Sequence, residues 1–209
     1  MKIKIIITSI FVFSAISAQT IRQRYSINAA WKFIRQDVAG AQSPEFNDSD
    51  WETVNLPHTW NALDVLDETP GYYRAACWYR HQEYIPSGNN SRILLYFEAV
   101  SARSDIFVNG QLAGSHKGAF TAFSVDITRL VKFDQMNHIA VKADNSVDNS
   151  FPPLHGDFSI YGGIYRDVYL VRVPNIHFDN TNHGSQGVFI STPELKNNKP
   201  LIKISGSVS

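Results

Sequence analysis

Ile106-Phe107-Val108-Asn109-Gly110-Gln111-Leu112-Ala113 is the most informative stretch of this 209-residue sequence. An Asn-Gly pair between apolar-rich flanks is the preferred type I′ hairpin turn, because both central residues must take positive φ. The reading therefore starts from a tight β-hairpin, and the sequence on either side extends it. Short β-rich runs recur at Trp31-Lys32-Phe33-Ile34, Cys77-Trp78-Tyr79-Arg80, Arg92 to Phe97, His138-Ile139-Ala140-Val141 and Arg166 to Val171. Each is bounded by Gly, Pro, Asn or Asp, and helix-period segments of useful length are absent. In the run at His138, alternation puts Ile139 and Val141 on one face and His138 and Ala140 on the other. The unbroken apolar run Ile93 to Tyr96 argues for a strand covered on both sides. Many short, punctuated strands make an all-β sandwich or barrel.

Three segments divide the chain. Met1-Lys2-Ile3-Lys4, the apolar run Ile5 to Val12 and the small residues Ser14 to Ala18 have the form of a secretory signal peptide. That apolar run falls short of the ~20 residues needed to span a bilayer. Residues 1–18 are therefore set aside, and an exported protein, periplasmic or extracellular, is expected. Residues 19–174 are long enough for one domain with its own core. A boundary is expected at Val173-Pro174-Asn175. Beyond it, strands at Val188-Phe189-Ile190 and Leu201 to Ile204 flank a linker-like stretch from Glu194 to Pro200. Two or three strands cannot bury a core alone, so residues 175–209 read as the start of a second β-domain.

Composition removes several function classes. The 19 basic and 19 acidic residues balance, with no long run of one sign, so the basic stripe expected of a nucleic-acid binder is missing. The single cysteine, Cys77, allows neither an internal disulfide nor a cysteine-based zinc site. His58, His116 and His155 are 58 and 39 residues apart, unlike the compact spacings of zinc ligands, and read as structural histidines.

Four stretches, in order, resemble the N-terminal sugar-binding domain of glycoside hydrolase family 2, the family of β-galactosidases, β-glucuronidases and β-mannosidases. They are Phe46 to Trp51 with Val54 to Asn61; Gly71-Tyr72-Tyr73-Arg74 with Cys77 to Arg80; Asp105 to Gly110 with Gly114 to Gly118; and Gly156 to Val168. The resemblance covers roughly residues 25–173. It implies a jelly-roll (galactose-binding-like) β-sandwich over 19–174, followed by the start of an immunoglobulin-like β-sandwich over 175–209. In full-length members a catalytic (β/α)₈ barrel follows, and it holds the two catalytic glutamates. Retaining hydrolysis needs two carboxylates about 5–5.5 Å apart. Here Asp64, Asp67, Glu68, Asp157 and Asp167 are scattered, and spacing alone pairs none of them. No catalytic residue is expected in this chain.

What the resemblance implies for the site is specific. In the β-galactosidase branch the aspartate matching Asp157 reaches into the barrel's pocket, near a sodium ion and the terminal sugar's hydroxyls. A carboxylate suits both roles, although an Asp capping a turn beside Phe158 explains the residue equally. Asn61, after Pro57-His58-Thr59-Trp60, matches the loop that offers an asparagine to the sugar; Asn is also a common turn residue. Trp60 and Tyr72 are the loop aromatics best placed for a sugar face, whereas Trp51 and one of Trp78 and Tyr79 read as packing. Asp64 and Asp67 read as solvated charges, and Arg166 with Asp167 as a pair locking the Gly162-Gly163 turn. This chain is expected to need no cofactor itself, with Na⁺ or Mg²⁺ possible in a full-length enzyme. The expected partners are a terminal β-linked sugar and the downstream barrel. The leading functional expectation is the sugar-binding part of an exported exo-glycosidase, with β-galactosidase preferred. A stand-alone lectin module and a purely structural sandwich are the alternatives, because fold does not fix function.

Overall fold

A computed structural model describes residues 22–64, 66–68, 71–88, 91–150, 161–196 and 199–209. The expected signal segment, His155 and Asp157 lie outside the described residues. Among the described residues no helix is long and apolar enough to cross a membrane. The described residues form twelve strands: β1 Gln23–Ser26, β2 Trp31–Ile34, β3 Glu52–Val54, β4 Ala76–Ile85, β5 Ser91–Phe97, β6 Arg103–Val108, β7 Gln111–Lys117, β8 Phe123–Asp126, β9 Gln135–Asp144, β10 Val168–Pro174, β11 Val188–Lys196 and β12 Lys199–Gly206. They form a six-stranded sheet in the order β3-β2-β4-β9-β6-β7, a four-stranded sheet β1-β10-β5-β8, and the pair β11-β12. All strand pairs are antiparallel.

The hairpin that opened the reading joins β6 to β7. Asn109 and Gly110 have φ of 50° and 84°, and Val108 pairs directly with Gln111, as a two-residue type I′ turn requires. The Asn109 amide also holds the next strand: its Nδ2 donates to Leu130 O and Asn137 Oδ1, and its Oδ1 accepts from His138 N–H.

The core lies between the two large sheets. Ile139, Val141 and Ala143 of β9 and Ile106 and Val108 of β6 meet Ile93, Leu95 and Phe97 of β5 there. The alternation read in β9 holds, since Ala140 turns the other way to join Trp78, Trp51 and Ala41 on the outer face of the six-stranded sheet. The continuous run in β5 is likewise covered on both faces: Leu94 packs outward with Val171 and Val173. Trp78 and Tyr79 are both buried, on opposite faces of β4, where only one of the two was expected to pack.

In the tail, β11 and β12 run closer together than expected. The stretch read as a linker is mostly strand, with Glu194 paired to Leu201 and Leu195 to Pro200. Ile190, Leu195, Ile202 and Ile204 remain exposed on this hairpin.

Candidate functional site

Residues 56–64 and 71–73 lie at one end of the sandwich, beside the start of β4 and the end of β9, where a buried polar knot holds them. Asn61 sits at the centre with no exposed surface. Its Oδ1 accepts from Gly162 N–H at 2.6 Å and from Asn145 Nδ2 at 3.3 Å. Its Nδ2 donates to Asp64 Oδ2 at 2.6 Å and to Tyr73 O at 2.8 Å. Asp64 Oδ2 also accepts from Tyr73 N–H, and Asp64 Oδ1 accepts from Arg35 at 2.8 Å. Asn145 Oδ1 accepts from Ala75 N–H, and the Thr59 hydroxyl donates to Gly162 O. Four remote pieces of chain, 59–64, 73–75, 145 and 162, are thereby latched together. Every polar atom of the Asn61 amide is used, as a buried amide requires.

Electrostatics follows from the same contacts. Burial alone would push the Asp64 carboxyl up, but hydrogen bonds from Asn61 and Tyr73 N–H and the Arg35 guanidinium outweigh it, so the group sits below its ordinary value. His58 is driven down by burial, with Nδ1 2.7 Å from the Tyr79 hydroxyl. His116 is also lowered by burial and stacks on Phe123, its centroid 4.1 Å away. These two histidines are packing residues. Among the described residues no group of three or more His, Cys, Asp or Glu side chains could hold a metal ion.

Two nominated sugar contacts are corrected by this geometry. Trp60 is 6% exposed and belongs to the main core, stacked on Phe33 at 6.1 Å. Asn61 is enclosed by its own domain, with its hydrogen-bonding capacity spent. Tyr72 does stay half-exposed, edge-on to Tyr161 at 5.2 Å. Asp157 lies outside the described residues. Asp64, expected to be a solvated charge, is buried. Asp167 binds Asn28 Nδ2 and the Tyr169 hydroxyl, while Arg166 is exposed, so those two residues do not form the expected locking pair. The Gly162-Gly163 turn is held by the knot instead. A Cβ at Gly162 would lie 1.9 Å from the Trp60 ring, and Gly163 has φ of 127°.

Sequence reasoning missed Asn145 and Arg35. No local pattern marks either, since Asn145 meets Asn61 across 84 residues of chain. The Asn61-x-x-Asp64 spacing was visible, but its burial was not.

In the same loop Leu63 and Leu66 are 69% and 78% exposed. Beneath the loop lies a cleft of about 510 Å³ bordered by Phe33, Arg35, Asp50, Glu52, His58 and Leu63. This end can present aromatic and apolar surface to another body, from a base that the knot makes rigid.

Residues 25–174 match the family described as "Glycosyl hydrolases family 2, sugar binding domain". The chain belongs to glycoside hydrolase family 2. It is 39% identical over 180 residues to a putative beta-glucuronidase of Formosa agariphila, covering 85% of this chain and 21% of that one. It is 29% identical over 198 residues to a beta-galactosidase of Thermoanaerobacter pseudethanolicus, covering 88% of this chain and 27% of the relative. Among solved structures, a Bacteroides uniformis beta-glucuronidase superposes with a TM-score of 0.82 at 43% identity, over 90% of this chain and 22% of that one. A putative beta-galactosidase from Bacteroides fragilis gives 0.76 at 35% identity, over 88% of this chain and 28% of that one. The chain thus spans about a fifth to a quarter of the length of these family 2 proteins.

Proposed function

We propose that this chain is the sugar-side, non-catalytic front of an exported family 2 exo-β-glycosidase. Hydrolysis would proceed with retention through a covalent glycosyl intermediate, on a barrel domain following the β11-β12 region. The observation that carries this reading is the buried Asn61 knot. It fixes one end of a family 2 sugar-binding sandwich as a rigid platform, with Tyr72, Leu63 and Leu66 reaching the surface and Gly162, which follows the 151–160 segment, held in the knot. The domain would shape the terminal sugar's subsite by supporting that segment, with Asp157 as the side chain that reaches sugar hydroxyls. Any Na⁺ or Mg²⁺ in the intact enzyme would take Asp157 together with ligands from the barrel.

For substrate, the 39% and 43% identities to proteins named β-glucuronidases favour a β-glucuronide. A β-galactoside is the second reading, favoured by the 35% identity to the Bacteroides fragilis structure. The test is to express the full-length protein with its leader and assay 4-nitrophenyl β-D-glucuronide against the β-D-galactoside. Turnover of one with kcat/KM at least tenfold above the other fixes the substrate. No turnover of either, together with measurable sugar affinity, would replace this reading with a lectin.

A further inference from the structure

A second slot opens at the opposite end of the sandwich. Strand β4 is ten residues long, which at about 3.3 Å per residue separates its two ends by roughly 30 Å. The Asn61 knot sits at its first residues. At its last residues, Gln23, Tyr25, Glu83, Tyr84 and Arg172 border a slot of about 490 Å³, floored by Leu170. The slot exists because β2 is short. β2 pairs only with Trp78 to Arg80 of β4, so 82–85 bond β9 on one side and leave the other side open beside β1.

The lining has the chemistry of a binding site. Tyr25 and Tyr84 are each 51% exposed and keep ring surface open on one rim. The Tyr25 hydroxyl donates to Gln23 Oε1 at 2.9 Å, which holds ring and amide side by side. Glu83 Oε2 is engaged by His81 Nε2 at 3.0 Å. Arg172 is 8% exposed, and among the described residues its side chain donates to neutral acceptors, Ser91 Oγ at 3.0 Å and Pro86 O. Among the described residues no carboxylate lies within ion-pair distance of it. Gly88 is the residue that admits this guanidinium, since a Cβ there would lie 2.0 Å from Arg172 Nη1.

Against the one buried cation stand two carboxylates, Glu83 and Asp134, whose Oδ1 accepts from the Ser87 N–H on the rim, so the slot has no excess positive charge to draw an anion such as a uronate, which favours a neutral ligand over an anionic one. Planar amide, carboxylate and guanidinium groups beside two aromatic rings suit vicinal hydroxyls and the apolar face of a pyranose. The volume falls within the range of real ligand pockets. We infer that this slot is a second carbohydrate site, which holds a neutral segment of a glycan chain about 30 Å from the end that serves the terminal sugar. It rests on the slot's own chemistry and not on which glycoside is hydrolysed.

The test uses the full-length protein in affinity gel electrophoresis through gels containing a soluble neutral galactan, glucan or mannan, with a polyuronate gel as the charged control. Tyr25→Ala/Tyr84→Ala is compared with Tyr25→Phe/Tyr84→Phe and wild type. Retardation by at least one neutral polymer should weaken about tenfold in the alanine double variant and persist in the phenylalanine one. Hydrolysis of the aryl glycoside should be unchanged in both. The inference is overturned if no neutral polymer retards the wild type, or if the polyuronate retards it more than any neutral polymer. It is equally overturned if the alanine variant is retarded as strongly as wild type, or if aryl-glycoside turnover falls in parallel with retardation.

Discussion

Asn61 shows how one side chain can be mistaken for a ligand contact when its work is internal. Truncating it in Asn61→Ala orphans the buried Gly162 N–H and takes one hydrogen bond each from Asp64, Tyr73 O and Asn145, which keep their other contacts. Each orphaned group costs about 1–3 kcal/mol, so a loss of about 2–4 kcal/mol and a melting temperature lower by roughly 5–10 °C is expected. Thermal denaturation of the full-length protein measures this; a raised KM with an unmoved melting temperature would return Asn61 to the sugar. Asp64 gives the same knot a pH signature. Its folded carboxyl lies below the ordinary value, so its contribution is complete above the unfolded pKa and is lost as pH falls through the folded one. Stability should therefore decline more steeply on acidification in wild type than in Asp64→Asn, as read by melting temperature between pH 6 and pH 3. Cys77 is a simpler case. Burial pushes its thiol up to about 12, and it has no exposed surface. Iodoacetamide at pH 8 should leave it unlabelled in the native protein and alkylate it once denaturant is added.

At the scale of elements, what the sequence disclosed was what local periodicity controls. Asn109-Gly110 announced its turn because positive φ at two successive positions restricts the residues that fit. Ile139 and Val141 announced their face because strand alternation is a property of the backbone. Trp60 and Asn61 did not announce theirs. Polar and aromatic residues in such a loop look exposed, and the Asn61 amide is enclosed by groups as far off as Gly162 and Asn145, 101 and 84 residues away. Glu194 to Pro200 misled in the opposite direction, since its charges, asparagines and Pro200 conceal strand pairing that β11 and β12 supply. The hairpin yields an element-scale prediction. Gly110→Val puts a β-branched residue at φ of 84° and brings its Cβ to 3.1 Å from Pro44 Cδ. A loss of about 1–2 kcal/mol is expected from the backbone conformation alone, visible as a lowered urea midpoint with an unchanged m-value.

For the molecule as a whole, the division of labour between fold and chemistry can be separated by comparing two substitutions. The 151–160 segment leaves the described sandwich at Ser150, whose hydroxyl accepts from Lys117 and whose N–H donates to Asp148. It returns at Tyr161 and Gly162, where the Asn61 knot holds the chain. Gly162→Ala acts on the hold, because its Cβ meets the Trp60 ring at 1.9 Å and something must move. A loss of at least about 2 kcal/mol in stability is expected, with activity falling as the loop end loosens. Asp157→Ala acts on the carboxylate proposed to meet the sugar, and it should lower kcat/KM on the aryl glycoside at least tenfold while the melting temperature stays within about 1 °C of wild type. If both variants lose stability and activity together, Asp157 is another strut of the platform. If Asp157→Ala leaves kinetics and melting unchanged, the sandwich serves the barrel by docking alone.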